Sequence, residues 1–122
     1  MALTVQSRFH PTHADLAVVS LTGDVDISTA ARLRDDLAAL LGDGARHLVL
    51  DFTEVSFMDS SGLSVLAGIF PLLRGTGTLS LAAVNPRIRE VLRTTGLTRL
   101  FPIYSSVDTA ITVIRSGEDT LS

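Results

Sequence analysis

Residues 55–66, VSFMDSSGLSVL, mark a sharp change in the character of this 122-residue chain. A buried run gives way here to a polar corner, formed by Asp59, Ser60 and Ser61, and then to an amphipathic segment. Ser or Asp directly before an apolar periodic run indicates a helix N-cap, because the side-chain oxygen accepts a free backbone N–H of the first turn. Either Asp59 or Ser60 fits that position. The positive end of the helix dipole would favour an anion at this corner by about 0.3–1 kcal/mol.

The corner lies between a predicted strand and a predicted helix. Upstream, the run HLVLDF at 47–52 is nearly continuous in apolar strand formers and predicts an interior parallel strand over 46–52, covered on both faces. Downstream, helical spacing predicts one stripe packed against the sheet, made of Leu63, Leu66, Ala67, Phe70 and Leu73. Because Pro71 falls inside this segment, we expect a kink or an early end of the helix there.

The first part of the chain predicts two strands and a helix. Alternation over 3–9 and the apolar run 16–21 indicate an antiparallel hairpin, with the second strand ending at GDVD, residues 23–26. Ser28 starts the first helix and Gly42 ends it. Its inward face carries Ala30, Leu33, Leu37, Leu40 and Leu41.

The last part of the chain adds two strands and two helices. A strand over 78–84 precedes a helix that begins at Asn85-Pro86, with Ile88, Val91 and Leu92 inward, and ends at Gly96. A short edge strand containing Pro102 follows over 100–104, and Ser106 or Asp108 caps a final helix. The order β-β-α-β-α-β-α-β-α predicts an α/β fold with a mixed β-sheet and helices packed against it, in a single domain over 1–122.

Composition limits the classes of function. The chain is 46% hydrophobic and 19% charged, which excludes disorder, and it has no apolar run long enough to cross a membrane. No secretory signal is visible, so cytoplasmic residence is expected. Cysteine is absent, and all ten basic residues are arginine, which removes thiolate and lysine chemistry. The net charge of −3 argues against direct binding to nucleic acid.

The residues do not predict an enzyme, a metal site or a cofactor. The sequence Asp59-Ser60-Ser61-Gly62 is not the Gly-x-Ser-x-Gly elbow of serine hydrolases. A catalytic base for Ser60 is also missing. His47 begins the central strand and Ser60 lies beyond its far end, so the two are well separated: His47 and Phe52 alone are about 17 Å apart along the strand. The three histidines lack metal-ligand spacing, and no glycine is followed by the Lys and Ser or Thr of a phosphate loop.

Three blocks of sequence resemble the STAS domain, the fold of anti-sigma factor antagonists and of the cytoplasmic tail of sulfate transporters. They are LTGDVD at 21–26, the run from His47 to DSSGL at 59–63, and TGLTRLF at 95–101. The middle block is the most specific, since it looks like the phosphorylatable corner of stand-alone bacterial antagonists. Transporter tails commonly lack this serine corner, so the resemblance favours the stand-alone class.

The resemblance implies a partner switch without an enzymatic activity of its own. The unphosphorylated antagonist would bind an anti-sigma factor that is also a serine kinase, and the sigma factor would be freed. Ser60 would be the phosphorylation site, and a serine phosphatase would remove the phosphate. The partner-binding residues would be Asp24, Asp26, Asp59, Ser60, Ser61 and Gly62. A monomer or weak dimer is expected.

Two alternatives remain open from the residues. Ser60 could be a structural N-cap without chemistry, and Asp24 and Asp26 could only end a strand and cap the next helix. The domain could also be a scaffold subunit of a larger signalling complex, which a megadalton assembly in size-exclusion chromatography would indicate.

Overall fold

The computed structural model describes residues 2–73 and 75–121, with side chains as far as residue 117. The described residues form the predicted order of strands and helices. The elements are β1 Thr4–Phe9, β2 Leu16–Val25, α1 Ala30–Gly42, β3 His47–Met58, α2 Ser60–Ile69, β4 Thr78–Ala82, α3 Pro86–Thr94, β5 Ile103–Tyr104 and α4 Val107–Leu121. Short 3-10 turns cover Phe70–Leu73 and Leu97–Arg99.

The five strands form one mixed sheet in the order β1-β2-β3-β4-β5. β1 is antiparallel to β2, and the other neighbours are parallel, as the hairpin and crossover arguments predicted. β3 is the central strand, and Leu48, Val49 and Leu50 are fully buried on alternating faces. The predicted interior strand is therefore confirmed.

Helices cover both faces of this sheet. The larger core lies under α1, α2 and α3, with Leu37, Leu66 and Leu92 among its members. The smaller core lies under α4, where Ala110 packs with Val49 and its neighbours. This two-sided cover is what allows β3 to be apolar on both faces.

The strands beside the corner are longer than the sequence predicted. β3 continues past residue 52 to Met58, and β2 continues to Val25. Two register irregularities in their pairing allow the extension. They leave Val55 and Met58 buried while Ser56 and Phe57 between them are exposed, so the apolar run breaks although the strand does not.

The predicted stripe of the second helix was partly wrong. Ala67 and Phe70 are exposed, whereas Leu66 and Leu73 are buried and Leu63 is half-buried. The buried set is Gly62, Val65, Leu66, Ile69 and Leu73. Within the helix, the buried positions 62, 65, 66 and 69 each precede by one the predicted positions 63, 66, 67 and 70. The shift arises because Gly62 faces inward at the start of the helix. The early end at Pro71 is confirmed, since α2 stops at Ile69 and a 3-10 turn follows.

Smaller corrections concern the ends of elements. α1 begins at Ala30 rather than Ser28, and β4 ends at Ala82 rather than 84. The last strand keeps its predicted edge position but spans only two residues. Asn85 caps α3 as predicted, and Ser106 caps α4 by accepting from the N–H of Thr109 at 3.1 Å.

Candidate functional site

The candidate site lies at the end of the sheet where β2 and β3 finish side by side. In the parallel register Asp24 is opposite Phe57, and Val25 is opposite Met58. The N–H of Asp59 then donates to the carbonyl of Val25 at 3.1 Å. The structure therefore brings the predicted acidic segment and the predicted serine corner to one end of the sheet.

Asp59, and not Ser60, is the N-cap of α2. Its backbone is extended, with φ −104 and ψ −170, and its side chain accepts from the N–H of Ser61 at 2.8 Å. Its carbonyl accepts from Gly62 at 3.1 Å and from Leu63 at 3.2 Å. The capping duty falls on the aspartate, so the helix does not need the hydroxyl of Ser60.

Ser60 is the first residue of α2 and is exposed. Within the described part of the chain, its hydroxyl makes no hydrogen bond that would hold it in place. Ser61 beside it is half-buried. Of the two corner serines, Ser60 is the more exposed.

Gly62 is buried beneath the corner rather than facing a partner. A Cβ at this position would lie 2.5 Å from Cγ of Met58 and 2.8 Å from Cγ1 of Val25. Both distances are far shorter than ordinary van der Waals contact, so only glycine lets α2 approach the strand ends this closely. Gly62 therefore sets how closely the first turn of α2, which carries Ser60, lies to the strand ends.

Asp26 organises the turn between β2 and α1. Its Oδ1 accepts from the N–H of Ser28 at 2.9 Å and from the Ser28 hydroxyl at 2.7 Å. The side-chain hydrogen bond from Ser28 is the main cause that lowers the pKa of Asp26. The side chain of Asp26 therefore holds the turn that leads into α1, but it does not cap the helix: α1 begins at Ala30, and Thr29 at the N-cap position makes no side-chain cap hydrogen bond.

Thr29 closes the same turn and was not predicted. Its hydroxyl donates to the carbonyl of Asp24 at 2.9 Å and accepts from the N–H of Asp26 at 3.0 Å. The residue is buried, so these bonds are shielded from water. A Thr three residues after an Asp, just before an apolar helix, was the available signal.

Asp24 ties the two strands together across the corner. The hydroxyl of Ser56 on β3 donates to Oδ1 of Asp24 on β2 at 3.0 Å. Ser56 was also missed, because an exposed serine inside a strand has no distinctive pattern.

His47 and the groove beside it lie at the end of the sheet opposite Ser60. His47 begins β3, at the end opposite the corner, where its Nδ1 lies 2.8 Å from the hydroxyl of Thr78. A groove of about 770 Å³ opens at that opposite end, and its lining includes His47 and Tyr104 but none of the predicted site residues. Within the described residues, no group of three or more possible ligand side chains is placed to hold a metal ion. No described helix is both long and apolar enough for a membrane span.

Comparison with known proteins agrees with this geometry. The family model described as STAS domain matches residues 6–110, which include the corner and most of the sheet. The chain belongs to the STAS domain family.

Relatives of this STAS domain carry related names. It is 30% identical over 105 residues to the anti-sigma-F factor antagonist RsfB of Mycobacterium tuberculosis, covering 86% of each chain. It is 32% identical over 102 residues to the anti-sigma F factor antagonist of Paenibacillus polymyxa, covering 82% of this chain and 87% of the relative.

A solved structure shares the fold at similar identity. The crystal structure of an anti-sigma factor antagonist from Mycobacterium paratuberculosis matches with a TM-score of 0.83 and 32% identity. The match covers 93% of this chain and 94% of the other.

Proposed function

We propose that this STAS domain is an anti-sigma factor antagonist that works by partner switching. In its unphosphorylated form it binds an anti-sigma factor that is also a serine kinase, so that the captured sigma factor is released. Phosphorylation of Ser60 ends the binding, and a serine phosphatase restores it. The observation that carries the proposal is the exposed Ser60 hydroxyl at the first position of α2, beside an aspartate that already caps the helix.

The names of the relatives support the regulatory class. Two of them, at 30% and 32% identity, are named as antagonists of anti-sigma F factors. The domain acts by binding and is not an enzyme. It needs no cofactor, and ATP belongs to the kinase. Cytoplasmic residence and a monomeric or weakly dimeric state remain predictions.

The fold can accept a phosphate on Ser60. The start of a helix presents free N–H groups and the positive end of the dipole, both of which favour an anion. Since Ser60 is exposed, the added group extends into solvent and displaces no core side chain. Phosphorylation should therefore leave the domain folded.

The same phosphate should oppose a partner that binds the neutral corner. It adds about −1.5 to −2 charge. Asp59 is adjacent, Asp24 lies near the end of the neighbouring strand β2 and Asp26 directly follows that strand, so the charge joins an acidic rim. A partner surface that fits a hydroxyl loses that contact and meets a dianion. Surface charges about 4 Å apart interact by about 4 kcal/mol at an effective dielectric of 20, enough to change affinity more than tenfold.

Phosphorylation by purified anti-sigma factors tests the site. Purified candidate anti-sigma factors of the serine kinase type are incubated one at a time with the protein and ATP. The peptide containing Ser60 is then analysed by mass spectrometry. Ser60→Ala should abolish incorporation. The matched control is Ser64→Ala, an exposed serine one turn along the same helix, which should be modified like the natural protein. Incorporation that survives in Ser60→Ala would refute the assignment.

A binding titration tests the switch. Ser60→Asp should bind the same anti-sigma factor at least tenfold more weakly while keeping its thermal unfolding temperature. Ser7→Asp places an equal charge on exposed β1 and should bind normally. Equal affinities for phosphorylated and unmodified protein would contradict the proposal.

A further inference from the structure

The turn beside the serine corner holds an isoleucine out in solvent. Among the described residues, Ile27 is 84% exposed, whereas the next most exposed large hydrophobic side chain, Leu72, is 50% exposed. Single exposed hydrophobic residues are ordinary on protein surfaces. What sets Ile27 apart is the combination of its exposure with the rigidity and position of its turn.

The turn that carries Ile27 is fixed on both sides by hydrogen bonds. Asp26 accepts from the N–H and hydroxyl of Ser28, and Thr29 bonds to the backbone of Asp24 and Asp26. The backbone N–H groups of Thr29 and Ala30 also donate to the carbonyl of Asp26, at 3.1 and 2.9 Å. Ile27 is thus presented on an ordered backbone, so binding it requires little further loss of conformational entropy.

Ile27 lies within reach of the same partner as Ser60. The hydrogen bond from Asp59 to the carbonyl of Val25 links the two segments, and the chain path through it limits the separation of the Cα atoms of Ile27 and Ser60 to about 18 Å. A standard interface buries about 800 Å² per partner, a patch roughly 30 Å across. Phe57, 46% exposed and opposite Asp24 in the register, borders the same rim.

The surroundings of Ile27 define the chemistry of the partner. Three carboxylates, those of Asp24, Asp26 and Asp59, belong to this rim. An apolar side chain within an acidic surround is matched by an apolar pocket with cationic side chains at its edge. This arrangement is continuous with the corner where the proposed function places the kinase.

We infer that Ile27 is the apolar anchor of the interface with the anti-sigma factor, seated in an apolar pocket whose cationic edge faces Asp24 and Asp26, while the partner surface over Ser60 fits a neutral hydroxyl and has no cation to receive a phosphate. The inference rests on the proposed function, because it names the surface that the kinase uses around Ser60. Exclusion of water around Ile27 would also place the Ser60 hydroxyl in a drier environment, where an added phosphate is more costly.

Calorimetric titration of the anti-sigma factor that modifies Ser60 tests this anchor. Ile27→Ser should weaken binding by about 10-fold to 100-fold, the range expected from burial of an isoleucine side chain. Ile27→Val, which keeps most of the apolar surface, should stay within about fourfold of the natural protein, since it removes one methylene. Binding should also weaken as salt is raised, because the rim is charged.

Leu72→Ser is the matched control. Leu72 is an exposed apolar side chain of the same size as Ile27, but it lies on the 3-10 turn near the start of β3, far from the corner. This variant should bind normally. Suppose that the affinity of Ile27→Ser is within twofold of that of the natural protein, and that the anti-sigma factor phosphorylates the natural protein at Ser60. The anchor is then wrong and the proposed function stands. If the natural protein neither binds nor is phosphorylated, both are overturned.

Discussion

Replacing Gly62 with alanine should destabilise this domain, although alanine is the better helix former. Gly62 is buried under the first turn of α2, against the ends of β2 and β3. An alanine Cβ would meet Cγ of Met58 at 2.5 Å, Cγ1 of Val25 at 2.8 Å and Sδ of Met58 at 3.0 Å. Carbon atoms prefer separations of about 3.5–4.0 Å, so at least two side chains must move.

Two opposing terms set the size of the effect. Alanine in place of glycine gains up to about 1 kcal/mol in helix propensity. Overpacking a core position typically costs about 1–3 kcal/mol. Met58 is flexible and can turn aside, but Val25 is β-branched and buried within a strand, so it has little freedom. We expect packing to win and the free energy of unfolding to fall by about 1–2 kcal/mol.

Gly68→Ala supplies the matched control within the same helix. Nothing lies within 4 Å of a Cβ built at Gly68, and its side is exposed. This variant therefore keeps the propensity gain without the overlap. It should raise the free energy of unfolding by about 0.5–1 kcal/mol.

Urea unfolding followed by circular dichroism measures both variants against the natural protein. A single domain of this size should unfold in one cooperative step, so the midpoints translate into free energies. Thermal midpoints should move in opposite directions, by about 3–6 °C per kcal/mol at this chain length. If Gly62→Ala were as stable as Gly68→Ala, the close approach of α2 would not be a real constraint and the packing argument would fail.

Two further predictions concern Asp26, which holds the turn before α1, and Asn85, which caps α3. The lowered pKa of Asp26 means that its charged form adds stability above its unfolded pKa, and that this contribution is lost as pH falls through the folded pKa. Asp26→Asn should therefore be less stable than the natural protein at pH 7, and urea unfolding at pH 3 should show a smaller gap; a gap that grows on acidification would refute the sign. Asn85→Ala should cost about 1–2 kcal/mol in urea unfolding. Asn85 accepts from the N–H of Ile88 at 2.8 Å and donates to the carbonyl of Val55 at 3.2 Å, so Asn85→Asp, which keeps the acceptor but loses the donor, should fall between the two.

The order of elements could be predicted from local patterns, because the apolar runs and caps are strong. Asn85-Pro86 predicted a helix start, and the run at 47–52 predicted the central strand. The length of β3 could not be predicted. Its last residues alternate irregularly because the register with β2 shifts twice, and a register shift depends on two strands that are distant in sequence.

The site was predictable as a location but not in its internal contacts. The corner 59–61 was visible as cap chemistry, yet sequence alone left Asp59 and Ser60 as equal candidates for the cap. The roles of Thr29 and Ser56 depend on hydrogen bonds to Asp24, which the fold alone brings near. Gly62 was expected to face a partner, whereas its closest neighbours are Met58 and Val25 in the core.

The geometry of a helix start explains why stability and modification can be separated at this corner. An N-cap side chain turns back to an N–H two residues on, while the next residue leaves its side chain outside the helix. Asp59 makes that bond to Ser61, so α2 keeps its cap whether Ser60 carries a hydroxyl or a phosphate. Had Ser60 been the cap, its modification would have altered the first turn directly. With the aspartate as the cap, a phosphate on Ser60 would change the surface that the proposed partner meets and would leave the packing of Gly62 beneath it intact.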